Sequence, residues 1–183
     1  MDAFYIEDNL RNHKNKINCF YAILAQHKTL SSSVYKNDIE SYGPEYAIDG
    51  FYSDDNRYLF TSKVEDYPWL QWKLAKPVFV SGIVLCLGGY VGDIEIRAGN
   101  VSMAPGFKGK LSANIICGRF AGPGEVGEDY TIVCDEPILA DYVTIQILDD
   151  MATLQINELR IISKFQGTIT YLNFSSCLWY TFI

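Results

Sequence analysis

Two histidines, His13 and His27, and five cysteines, Cys19, Cys86, Cys117, Cys134 and Cys177, are the side chains from which nucleophilic or metal chemistry would first be built in this chain of 183 residues. Neither histidine stands in a recognisable motif with a serine or cysteine nucleophile. The carboxylate pairs Asp54-Asp55 and Asp149-Asp150 are adjacent in sequence, so on a strand or turn they diverge instead of facing a shared substrate. No Cys-x-x-Cys pair occurs, and with two histidines no structural zinc site is spelled out. The odd cysteine count leaves at least one thiol free or paired with another chain. These residues carry no enzyme signature, and the expectation is a protein that binds and does not catalyse.

The elements that would position a binding site are strands. Hydrophobic residues make up 49% of the chain, enough for one full core, and the 13 Tyr, 10 Phe and 3 Trp with Gly and Pro at turns favour β-structure. Trp69, Gln71 and Lys73 alternate with Leu70, Trp72 and Leu74, a pattern that buries one side of a strand and places Trp72 in the core. Pro77–Leu87 supplies the next strand pair. Asp93–Gly99, Tyr130–Cys134, Tyr142–Ile147 and Leu154–Ile162 read as further strands, whereas Gly118–Gly127 reads as a loop. The fold class expected is all-β, an antiparallel two-sheet sandwich of jelly-roll type. A net charge of −7 without basic clusters excludes a nucleic-acid partner, and no apolar run reaches the ~18 residues of a membrane-spanning helix. Residues 1–22 are polar and read as an extension or a signal region, residues 23–163 as the domain, and residues 164–183 as an apolar tail. For that tail an added strand, an oligomerisation edge and non-native sequence stay open as readings.

Four segments recur in order: Tyr46–Gly50, Pro68–Leu74, Asp141–Ile147 and Leu154–Ile161, with Cys117 and Cys134 between the second and third. Together they resemble the F-type lectin family, the fucose-binding relatives of the discoidin domains, over roughly residues 23–163. The resemblance implies a calcium ion held by the carboxylates of Asp49 and Glu158 with main-chain oxygens of Tyr46, Phe51, Leu59 and Asn157, a hard-oxygen set that suits calcium. Against it stands the plain reading that Asp49 caps its own turn and Glu158 is an exposed strand residue. The resemblance also implies a disulfide between Cys117 and Cys134, hence an oxidising, extracellular or secreted setting. The family's sugar ligands are a histidine and two arginines. Here Ser62, Gly88 and Tyr90 stand in those places, so the cationic donors for fucose are missing. The expected partner is a glycan or glycoprotein. The alternative is a protein-interaction or structural module on the same scaffold, and oligomerisation is left open.

Overall fold

The computed structural model describes residues 28–53, 57–89 and 91–163. The terminal segments 1–22 and 164–183, and Tyr90, lie outside the described residues. Seven strands follow one another: β1 (Lys28–Ser31), β2 (Phe60–Thr61), β3 (Trp69–Leu87), β4 (Ile94–Gly99), β5 (Ile115–Phe120), β6 (Asp129–Ile147) and β7 (Gln155–Ser163). Every pairing is antiparallel, in the order β2-β7-β3-β6-β4-β5 with β1 on β3. Between β1 and β2 lie a single helical turn, α1 (Ile39–Tyr42), and a 3-10 turn (Pro44–Ile48). Asp38 starts α1 by accepting a hydrogen bond from the Ser41 amide at 3.1 Å, and Gly43-Pro44 ends it.

The sandwich is built by two strands that each pass through both layers. The sequence reads Trp69–Leu74 and Pro77–Leu87 as separate strands, and likewise Tyr130–Cys134 and Tyr142–Ile147. In the structure each pair is one strand of 19 residues, β3 and β6, lying side by side. Continuity survives because the register shifts at two places. Between the pairs Lys73↔Tyr142 and Val78↔Ala140, residues 74–77 of β3 face Asp141 alone. Between Val80↔Ile138 and Gly82↔Val133, residues 134–137 of β6 face Ser81 alone. Each irregular stretch ends in a proline, Pro77 or Pro137, which cannot donate to a ladder and is tolerated where the ladder is already broken. Gly82 has a reason to be glycine: a β-carbon there would sit 2.5 Å from the Ile132 carbonyl oxygen. Alternation therefore locates the strand segments, while the prolines conceal that the segments are joined. Gly118, read as loop, lies within β5, where Ile96 is its partner on β4.

The main core lies between the layers. Trp72, Leu74, Ile83, Leu85, Ile96, Ile145 and Leu159 are all at most 3% exposed, and each large apolar side chain so buried contributes about 1.5 to 3 kcal/mol. Trp72 is core, as its alternation predicts. The Cys117–Cys134 disulfide joins β5 to the first half of β6. Because β5 pairs with β4 and β4 with the second half of β6, this bond ties a corner between the two layers. Closing a loop of 17 residues is worth about 3 kcal/mol. Cys86 is a buried free thiol, and burial beside Asp129 pushes its pKa up to about 12.

One-sided burial, expected from alternation, does not hold for β3, β4 and β6. Gln71, Glu95, Thr144 and Gln146 point away from the main core, yet none is more than 3% exposed. The segment 100–114 folds over that outer face. Met103 and Leu111 pack with Trp69 in a second small cluster supported by Leu30 and Phe107. Its backbone is tied down by the polar side chains it covers. Trp69 donates its indole N–H to the Phe107 carbonyl at 2.9 Å, and the Gln71 Oε1 accepts from the Met103 amide at 2.8 Å.

Candidate functional site

Asp49 follows the 3-10 turn Pro44–Ile48, and the next residue, Gly50, has φ +81°, a left-handed conformation that glycine adopts without steric cost. That turn aims the Gly50 N–H at β7, where it donates to Glu158 Oε2 at 3.0 Å. Asp49 Oδ1 accepts from the Phe51 amide at 2.9 Å. The fold thus brings Asp49 and Glu158, 109 positions apart, onto one turn. Asp49 does accept within its own turn. Glu158 is not an exposed strand residue: it is 8% exposed, and its Oε1 has no hydrogen-bond partner. Burial pushes the Glu158 carboxyl up to about 8, with the charges of Asp49 and Asp129 raising it further against the pull of the Gly50 amide and Arg160. Burial also raises Asp49, opposed by the Phe51 amide. Two desolvated carboxyls side by side, one with an orphan oxygen, form a place where a cation would replace the missing proton or partner. Among the described residues no cluster of three or more His, Cys, Asp or Glu side chains is gathered, so a cation here would rely on main-chain oxygens for its remaining ligands.

The other residues named for the metal surround this turn in different ways. Tyr46 lies within the 3-10 turn, its hydroxyl donating to the Glu40 carbonyl and its ring edge-on to Tyr58 at 5.7 Å. Phe51 is 74% exposed, while Leu59 is buried against Gly88, whose missing β-carbon would lie 2.9 Å from a Leu59 methyl. Asn157 has a role that sequence reasoning missed. Its side chain, 1% exposed, accepts from the Ser53 amide at 2.9 Å and donates to the Ser53 carbonyl at 3.0 Å, clamping the loop after Gly50 to β7. Its position between two strand residues hides this, because an asparagine there reads as a surface position.

The described sugar positions converge on the start of β7 and close inward. Ser62 is 0% exposed; its hydroxyl accepts from the Leu154 amide and donates to the Lys63 carbonyl, both at 2.9 Å. The Gly88 amide donates to the Gln155 carbonyl at 3.1 Å. The Ser62 hydroxyl is spent inside the fold, and Gly88 has no side chain to offer a ligand.

No protein-family model matches the chain, and no curated protein matches it. Solved structures do. A fucolectin from striped bass (Morone saxatilis) serum aligns over 75% of this chain with 22% identity and a TM-score of 0.63; the chain spans 46% of that lectin's length. An F5/8 type C domain from Bacteroides fragilis aligns over 80% of this chain and 97% of its own, with 17% identity and a TM-score of 0.61. The fold is that of the F-type lectins and their discoidin-like relatives. A family 32 carbohydrate-binding module from C. perfringens, solved in complex with galactose, shares the fold at 18% identity and a TM-score of 0.54, over 74% of this chain and 92% of its own. The jelly-roll sandwich and the family resemblance read from the sequence are met at the level of fold, and the Cys117–Cys134 bond is formed.

Proposed function

We propose that this chain is a non-enzymatic, lectin-like carbohydrate-binding domain that works outside the cell with a structural calcium ion. The observation that carries the reading is the shared sandwich: its structural neighbours include a serum fucolectin and binding modules solved with galactose and with GalNAc-β-1,3-galactose. The disulfide and the serum origin of one neighbour support an extracellular setting. Binding would be reversible, at the loops of the sandwich, to a glycan or glycoprotein.

Calcium fits the residues at the Gly50 turn. Asp49 and Glu158 would hold it through their carboxylates, and Tyr46, Phe51, Leu59 and Asn157 through main-chain oxygens. Its charge would offset the cost of burying two carboxylates and would hold the turn after Asp49 against β7. The ion would take no part in chemistry.

Fucose held by a histidine and two arginines is not proposed. Ser62 is sealed inside and Gly88 has no side chain, so the charge-assisted donors that read sugar hydroxyls are absent at both. The same observation favours the second reading, an interaction module that has kept the scaffold and lost sugar recognition. A glycan array probed with the purified domain in calcium and in chelator separates the two. Binding to a set of related glycans supports the lectin reading, and an array without signal in calcium leaves the interaction module in its place.

A further inference from the structure

Beside the sealed sugar positions lies an open cleft of about 420 Å³, lined by Val64, Glu65, Asp66, Tyr67, Lys108, Gly109 and Met151. We infer that this cleft is the carbohydrate site, and that it takes the end of a neutral glycan. The inference rests on the lectin reading and gives it a place and a ligand class.

Three features carry it. First, the walls are held apart at a fixed distance by a residue beneath them. Gln146, 0% exposed, donates one amide hydrogen to the Tyr67 carbonyl in one wall and one to the Gly109 carbonyl in the other, both at 2.9 Å. Its Oε1 accepts from the Leu111 amide at 2.8 Å, so both amide hydrogens and the oxygen take part in setting the cleft. A site prepared in this way loses little ordering entropy when a ligand enters. Second, the backbone is strained where it borders the opening: Tyr67 and Met151 both have φ +53°, a left-handed conformation that costs a residue with a β-carbon of order 1 kcal/mol. The surroundings maintain it, with the Tyr67 amide bound to the Asp149 carbonyl at 3.2 Å and the Met151 amide to Asp66 Oδ1 at 3.0 Å. Third, the lining mixes what a pyranose needs. Glu65 and Asp66, whose carboxylates already accept from the Ser33 hydroxyl and the Met151 amide, keep further lone pairs for a ligand, Lys108 donates, and the exposed side chains of Val64 and Met151, 60% and 72% accessible, offer apolar surface to a C–H face.

Charge narrows the ligand. Among the lining residues Glu65 and Asp66 stand against Lys108, and the nearby Lys110 ammonium is engaged 5.1 Å from the centre of the Tyr67 ring. The balance is slightly negative, which disfavours sulfated and uronic-acid glycans and leaves neutral sugars.

The test uses the full chain in calcium. Saturation-transfer NMR and calorimetry are run with galactose, N-acetylgalactosamine and fucose as neutral probes and with galactose 6-sulfate as the anionic one. Lys108→Ala and Met151→Ala alter exposed lining residues, and Leu139→Ala, at an exposed position of β6 seven residues along the strand from Gln146, is the control; all three are first checked for an unchanged melting temperature. The expected result is binding of at least one neutral probe, weakened tenfold or more by Lys108→Ala and several-fold by Met151→Ala, with Leu139→Ala as wild type. Neutral-sugar binding that both cleft variants leave intact would overturn the placement while the lectin reading stands. Preference for the sulfated probe would overturn the ligand class. If no probe binds, and the glycan array is also blank, the lectin reading falls and takes this site with it.

Discussion

The segment 100–114 and the turn 49–53 are both irregular stretches pinned to strands by buried polar side chains, and they are pinned in opposite ways. Over the outer face of β3, β4 and β6 most ties are neutral, and the charged one, from Arg97 to the Ser112 and Asn114 carbonyls, has its own carboxylate partner in Glu95. Gln71 donates to the Val101 carbonyl and to Thr144, and accepts from the Met103 amide; Gln146 satisfies three backbone groups; Asn114 and Val101 exchange two hydrogen bonds of 2.8 and 2.9 Å. At the Gly50 turn Asn157 makes the same two-way bond to Ser53, but beside it Glu158 buries a carboxyl with one oxygen unmatched. A region whose donors and acceptors all match is stable by itself. One with an unmatched buried carboxyl is completed by a proton or by a metal cation, which is why the proposed metal is placed at one loop and not at the other.

The comparison breaks most visibly at Gln146. Gln146→Leu keeps the volume roughly and strands the Leu111 amide and the carbonyls of Tyr67 and Gly109 in a buried place, at 1 to 3 kcal/mol for each group left unpaired. A loss of about 3 to 5 kcal/mol in urea unfolding is expected. A loss below 1 kcal/mol would mean that water reaches these groups and that the segment is not sealed. Asn157→Ala tests the matching clamp on the other loop. Ser53 is only half-buried, so water can replace part of what is lost, and about 2 kcal/mol is expected.

These two residues also mark how far the sequence could be read. Strand segments were legible because Leu70, Trp72 and Leu74, or Ile94 and Ile96, alternate with polar neighbours. The continuity of β3 and β6 was not, since Pro77 and Pro137 look like terminators unless the partner strand's register is known. The burial of the outer-face polar residues Gln71, Thr144 and Gln146 was not legible, because alternation tells which side faces the core and not what covers the other side. The cover comes from residues 100–114, a stretch of Pro, Gly, Ser and Lys with no periodicity of its own. At the site, Asp49 and Glu158 were legible through the family resemblance. The Asn157 clamp and the sealing of Ser62 depend on contacts between distant segments, 104 and 92 positions apart, which no local pattern encodes.

Calcium tests the incomplete side of the comparison directly. With millimolar calcium and a dissociation constant near 0.1 mM, the range of weaker extracellular modules, linkage adds roughly 1.4 kcal/mol. The melting temperature in calcium should exceed that in chelator, and Glu158→Gln should remove the difference while leaving the chelator value near or above wild type, since the glutamine has no charge to bury. Identical melting curves in calcium and chelator for the wild type would remove the ion from the account, and the orphan oxygen would then be matched by a proton.

The smallest expected effect sharpens the comparison most, because it concerns a carboxylate as buried as Glu158 but fully partnered. Glu95 is 3% exposed, and burial alone would raise its pKa; the hydrogen bonds from Arg119 and Arg97, at 2.6 Å each, outweigh that and hold it below the ordinary glutamate value. A carboxyl whose folded pKa lies below the unfolded one binds fewer protons folded than unfolded in the interval between them, so stability rises with pH there. The contribution of Glu95 is thus present in full above the unfolded value of about 4.3 and is lost as pH falls through the lower, folded one. Arg119 is 61% exposed, so solvent screens its share and the effect stays modest. Urea midpoints measured from pH 5 down to pH 3 should fall for the wild type, and less steeply for Glu95→Gln, which has no proton to take up. Parallel slopes for the two proteins would show that the guanidiniums do not hold Glu95 ionised, and the contrast between a partnered and an unpartnered buried carboxyl would lose its physical basis.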